Sequence, residues 1–171
     1  AVKVAGIIQN PGLYGNVVAL HSGTGTQIGD RGIADTVNET AAGIHAELGH
    51  SQTFWIEMSG DAPRDKEGRN SWGDGPVVPG GRVPELFEKY PNLYGDLSAN
   101  SGSRAIMRDE AFGLAFLEKY AERLFFATDM VNADMVFPLG GWLDEMVSAG
   151  KLSRSTYNKI CFENAQRIFG L

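Results

Sequence analysis

The chain has 171 residues and a mass of 18.5 kDa, enough for one domain with a hydrophobic core. Its hydrophobic share of 43% and charged share of 21% are those of an ordinary globular protein. A net charge of −6 and a pI near 5.0 argue against nucleic acid or an anionic membrane as partner, and no apolar run approaches the roughly 18 residues of a membrane span.

The opening AVKVAGIIQN has no basic stretch followed by an apolar core, so no signal peptide is expected. Cys161 is the single cysteine, which excludes an internal disulfide and points to a reducing, cytoplasmic setting. It falls in an apolar helical pattern, where a structural thiol is expected rather than a nucleophile.

Along the chain, short apolar runs alternate with amphipathic segments, which predicts an α/β fold of βα units around a mostly parallel sheet. NVVALHSG reads as a strand through Leu20 that stops at His21. Asp35 or Thr36 can cap a helix running to about Glu47, after which a short segment, AELGH, reaches His50. Residues 60–81, rich in Gly, Pro and charge, form a long irregular loop; Trp72 and the Val77–Val78 pair favour an ordered one. RVPELFEKY is a helix with Pro84 in its first turn, and PNLYGDLS a strand ending near Ser98. In DEAFGLAFLEKYA, Phe112, Ala115, Phe116, Lys119 and Tyr120 recur at helical spacing. RLFFATD is the next strand, and LGGWLDEMVSAG a helix closed by Gly150. Ser153 then caps a last helix whose stripe is Tyr157, Ile160, Cys161, Asn164 and Ile168.

Ligands of parallel α/β sheets sit at the C-terminal ends of the strands. His21, His50 and Asp129 are expected there, and two imidazoles with a carboxylate form the donor set of a catalytic zinc-like site with an open position. A hydrogen-bonded structural role is the alternative for each. His45 lies inside a helical stretch without the H-E-x-x-H spacing, so it is not expected to be a ligand. Asp96, at another strand end, can orient a substrate or cap a turn together with Ser98. Arg82 can bind a carboxylate through its forked donors or form a surface ion pair. GTGTQIGDRG lacks the lysine and spacing of a phosphate loop, and WGDGPVVPGG is no dinucleotide fingerprint.

Three stretches carry a family resemblance: GHSQTFWIEMSGD, the run from PVVPGGRVPELFEKYPNLYGDLS to RLFFATDM, and ENAQRIFGL. They resemble the C-terminal half of metal-dependent amidohydrolase-related proteins. These are (β/α)8 TIM barrels that include hydrolases and aminocarboxymuconate-semialdehyde-type decarboxylases. The resemblance covers Leu48 to Leu171, with His21 added. It implies that His21 is the ligand after strand five, His50 the ligand after strand six and a catalytic residue, and Asp129 the strand-eight aspartate. That aspartate holds a divalent metal, zinc by expectation, and takes a proton from the water it activates. Arg82, Asp96 and Trp55 would then meet a small organic substrate, through hydrolysis or, alternatively, decarboxylation. The sequence departs from the family in two ways: no H-x-H pair occurs, and Ala127 stands where relatives carry Gly. An incomplete barrel of about the C-terminal half is therefore expected, with open edges that favour a homo-oligomer. The competing expectation is a non-catalytic binding or interaction module.

Overall fold

The computed structural model describes residues 3–9, 16–21, 46–65, 68, 71–130 and 132–169; for 3–9, 16–21, 46, 47 and 169 the description is of the backbone. The fold is mixed α/β, with helices in the majority. It divides into two compact units. Unit 1 holds the described residues of Ala1–Gly73 with Val78–Gly95, and unit 2 holds Asp74–Val77 with Asp96–Leu171.

Unit 1 is built on strands β1 (Lys3–Gln9), β2 (Asn16–His21), β3 (Ala46–His50) and β4 (Leu93–Asp96). β1 pairs antiparallel with β2, and β2 antiparallel with β3. Only β3 and β4 are parallel, with Glu47 opposite Leu93 and Gly49 opposite Gly95. The alternation of the sequence predicts parallel units here, and β1 is not among the strands it suggests. The physical reason for the first reversal is chain length. Only residues 10–15 separate β1 from β2, and a parallel crossover needs a dozen or more. The ladder slips by one residue between Val4 and Ile7 in β1, a bulge at Ala5–Gly6.

The helix expected from Asp35 or Thr36 lies outside the described residues except for its last two positions. Those two, Ala46 and Glu47, open β3 instead. After β3 the chain turns at Ser51 into α1 (Gln52–Trp55), which tightens into a 3₁₀ turn at Ile56–Met58. Phe54 and Trp55 stand edge to face, with ring centroids 4.9 Å apart, and both are buried. Gly49 exists for this packing: a Cβ there would lie 2.1 Å from Phe54 Cζ. Helix α2 (Arg82–Lys89) adds Val83, Leu86 and Phe87 to the same core. The irregular loop is observed as expected. It is fastened by polar bonds rather than by its apolar residues, since Trp72 is 44% and Val78 43% exposed. Gly60 N–H donates to Val78 O and Val78 N–H to Ser59 Oγ, each at 2.8 Å.

Unit 2 contains α3 (Ala99–Met107), α4 (Glu110–Lys119), β5 (Leu124–Phe125), α5 (Pro138–Ser148), α6 (Arg154–Asn158) and α7 (Asn164–Phe169). α3 has no counterpart in the sequence reading, because Asn, Ser and Gly in ANSGSRAIM weaken the helical signal. In α4 the buried residues are Gly113, Phe116 and Leu117, with Tyr120 following, whereas Ala115 and Lys119 are exposed. The helix is turned this way because Gly113 rides on α3, where a Cβ would stand 2.1 Å from the Ile106 carbonyl oxygen. α5 ends as the sequence suggests. Gly150 takes φ 69, its N–H donates to Val147 O at 3.0 Å, and the Lys151 N–H reaches Met146 O at 2.9 Å.

Ser153 caps α6 by accepting the Thr156 N–H at 3.1 Å. The last helix runs on through a π segment at Lys159–Glu163 into α7. Its buried line is Thr156, Ile160 and Asn164, with Tyr157, Cys161 and Ile168 half-buried beside it. Asn164 donates through Nδ2 to the carbonyls of Ala121 at 2.6 Å and Leu124 at 2.8 Å, pinning β5 to this helix.

Candidate strand-exit site

β4 ends in half-buried Asp96 and β5 in buried Phe125, and both release polar loops. At the end of β4, Leu97 and Ser98 are buried and Asp96 is half-buried. Asp96 Oδ1 accepts the Ser98 N–H and Oδ2 accepts the Ser98 hydroxyl, both at 2.8 Å. Ser98 stands at the N-cap of α3, yet its hydroxyl does not accept a helix amide; it turns back to the aspartate. Asp96 is therefore held rigidly by the residue that would otherwise cap the helix.

The two exits are stitched together within unit 2. Leu97 N–H donates to Phe125 O at 2.9 Å, and Ala99 N–H to Thr128 O at 3.2 Å. Both bonds advance along the two segments in the same sense, which is a parallel alignment. Phe126 N–H is taken by Ile160 O of the π segment at 2.9 Å. A π-turn disturbs the regular carbonyl ladder of its helix, and here one of those carbonyls supports the strand end. Regular strand ends at Phe125, so Asp129 stands four residues past β5 rather than on its tip. It is exposed, as is Thr128.

Among the described residues, three non-glycine residues have positive φ: Ser51 at 87°, Ala99 at 56° and Asp129 at 52°. Each follows the C-terminal end of a strand, β3, β4 or β5. An L-residue pays about 1–2 kcal/mol for a left-handed backbone, least where a short polar side chain can bond locally. Alanine has no such relief at Ala99, and Ser51, at φ 87 and ψ 167, lies in a region that is otherwise almost confined to glycine. No sequence signal marks Ser51 or Ala99, since glycine is what a left-handed position usually displays.

In unit 1, His50 is the last residue of β3 and is half-buried. Asn16 pairs with His50 and Leu20 with Ala46, so the backbones of His21 and His50 sit at opposite ends of the β2–β3 ladder. At about 3.4 Å per residue that is roughly 17 Å, a span two imidazoles do not bridge on one ion. Trp55 is 2% exposed and serves the core. Arg82 Nη1 lies 2.9 Å from both carboxylate oxygens of Glu85, a local ion pair made through one nitrogen of the guanidinium. His45 lies outside the described residues. Among the described residues no group of three or more His, Cys, Asp or Glu side chains is close enough to hold a metal ion.

Cys161 is half-buried, and burial pushes its thiol pKa up; the Tyr157 hydroxyl pulls the other way and Asp144 adds to the rise. The sulfur is thus held protonated, as a structural thiol should be. No helix among the described residues is long and apolar enough to cross a membrane.

No family model, curated protein or solved structure matches this chain.

Proposed function

We propose that the chain carries the catalytic strand exits of a metal-dependent hydrolase of the amidohydrolase type, made from βα units of the (β/α)8 kind. The observation that supports this reading is the pair of carboxylates, Asp96 as the last residue of β4 and Asp129 on the loop leaving β5, at parallel segments joined by Ala99 N–H and Thr128 O. Such exits are where α/β enzymes of parallel architecture keep their reacting groups.

The donor chemistry fits a divalent ion of the zinc type, since carboxylate and imidazole are its ordinary ligands. Asp129 is the carboxylate donor of this reading, and the resemblance gives His21 and His50 as its imidazole donors. A bound ion of this kind lowers the pKa of water toward neutrality and polarises a carbonyl. Asp129, exposed on its loop, would accept the proton released from the attacking water. Asp96, fixed by Ser98, would orient the polar group of a small organic substrate. Loss of carbon dioxide from a carboxylate-bearing substrate is the same-site alternative, distinguished by whether the product mixture contains carbon dioxide or a hydrolysed pair.

Metal analysis of the purified chain tests the reading. Roughly one divalent ion per chain is expected, as in catalytic zinc sites, with strong loss in Asp129→Asn and, separately, in His50→Ala. A wild-type chain that binds no divalent ion, or binds it equally in both variants, sinks it.

A second reading, a non-catalytic interaction module, is supported by Trp55 and Arg82. One is committed to the core and the other to Glu85, so two of the three residues expected to meet substrate have structural occupations. It predicts no metal uptake together with self-association visible by light scattering.

A further inference from the structure

Part of the irregular loop carries its own fastening. Asp74–Val77 is gripped by two consecutive side chains at the junction of α3 and α4. Arg108 donates its Nε–H to Gly75 O at 2.8 Å and its Nη2–H to Asp74 O and Pro76 O at 3.0 and 3.1 Å. Asp109 Oδ2 accepts the Val77 N–H at 3.0 Å, while its Oδ1 accepts the Phe112 N–H at 3.1 Å and so caps α4. Arg104 adds an ion pair with Asp74 at 2.9 Å, but the aspartate is 92% exposed and solvent screens the pair.

These polar bonds hold the segment in place of apolar burial. Asp74, Gly75 and Pro76 are exposed and Val77 is half-buried. Gly73 at φ 43, Gly75 at φ 72 and Gly80 at φ 92 supply left-handed joints within and beside it. A short segment with few buried apolar groups and glycine joints belongs to the low end of a protein's range of local stabilities. The helices beneath it are of the opposite kind, with Ile106 and Leu117 fully buried.

We propose that Asp74–Val77 is a strap that opens as a unit while α3 and α4 stay folded, and that Arg108 is its latch. Arg108 is assigned that part because its Nε and Nη2 together place three hydrogen bonds in the strap. Asp109 is shared between strap and helix cap, so its loss would loosen both. The Val77 amide first, then that of Phe112 and the Arg108 charge, lower the Asp109 pKa against the opposing effect of burial. The carboxylate therefore stays charged at neutral pH, and the strap needs no proton to remain shut.

Hydrogen exchange on the full chain tests this, with the Val77 amide as reporter and the amides of α3 and α4 as internal standards. Arg108→Ala should speed Val77 exchange about tenfold or more and leave the helices unchanged, as expected for a local opening that has lost its main charged donors. Arg108→Lys, which keeps the charge and loses the fork, should fall between. Val77 exchange unchanged in both variants overturns the latch. Acceleration spread equally over α3 and α4 overturns the strap as an independent unit.

Discussion

Two strand exits in this chain each pass through a non-glycine residue of positive φ and are fixed by different means. In unit 1, β3 ends at His50, Ser51 takes φ 87, and the chain turns at once into α1, whose Phe54 and Trp55 are 1% and 2% exposed. In unit 2, β5 releases an exposed stretch through Thr128 to Asp129 at φ 52, and the next helix among the described residues begins at Pro138. The first exit is fixed by apolar burial immediately behind it. The second is fixed by three backbone bonds, to Phe125, Ile160 and Thr128, and its side chains remain in solvent. Burial makes a strand end rigid at the expense of access. Hydrogen bonding between neighbouring exits gives rigidity and access together, which is what a reacting loop requires.

The comparison breaks most visibly at Trp55. Trp55→Ala removes a fully buried indole and its edge contact with Phe54, and about 3–5 kcal/mol of stability should be lost. Denaturant unfolding followed by hydrogen exchange would assign that loss to β3, α1 and α2. An unchanged unfolding midpoint would show that burial does not fix the first exit. Next in size is Gly102→Ala in α3. A Cβ there would sit 2.4 Å from the Leu97 carbonyl carbon and oxygen, backbone atoms that cannot rotate away. Roughly 1–3 kcal/mol should be lost, as for an overpacked core, and the Leu97 and Ala99 amides should exchange faster. Ala99→Gly works in the opposite direction. It relieves the φ 56 backbone, less the entropy glycine adds to the unfolded chain, and should raise stability by up to about 1 kcal/mol. A destabilised Ala99→Gly would mean that the methyl group packs more than the backbone strains.

How much of this could be read from the sequence follows from where the signals live. Apolar periodicity and caps are local, so α2, the Gly150 stop and the Ser153 cap are legible residue by residue, and residues 60–81 are legible as loop from composition. Strand direction is a property of pairing, not of either strand, so the antiparallel course of β2 leaves no mark in NVVALH. The orientation of α4 depends on Gly113 meeting the Ile106 carbonyl, a contact that no spacing of Phe and Tyr encodes. The candidate exits divide in the same way. Asp96, Ser98 and Asp129 stand out as polar residues after apolar runs. The bond from Ala99 to Thr128 and the left-handed backbone at Ser51 and Ala99 arise only when the segments meet.

The smallest effect belongs to a polar contact between α5 and α6 in unit 2, where Tyr157 donates its hydroxyl to Asp144 Oδ1 at 2.7 Å. That hydrogen bond, with burial and the neighbouring Cys161 and Asp144, pushes the phenol up to about 12 from its usual 10.0. The folded state thus prefers the protonated phenol. The stabilisation is fully present below the unfolded value and is lost as pH rises through the folded one, a window between 10.0 and about 12. Solvent around this half-buried ring keeps the effect modest. An ultraviolet titration should show one tyrosine ionising later than the rest, and Tyr157→Phe should remove that late step and flatten the alkaline decline in stability. A late step that survives Tyr157→Phe would assign it to another tyrosine, and the polar clamp between α5 and α6 would then carry no pH dependence of its own.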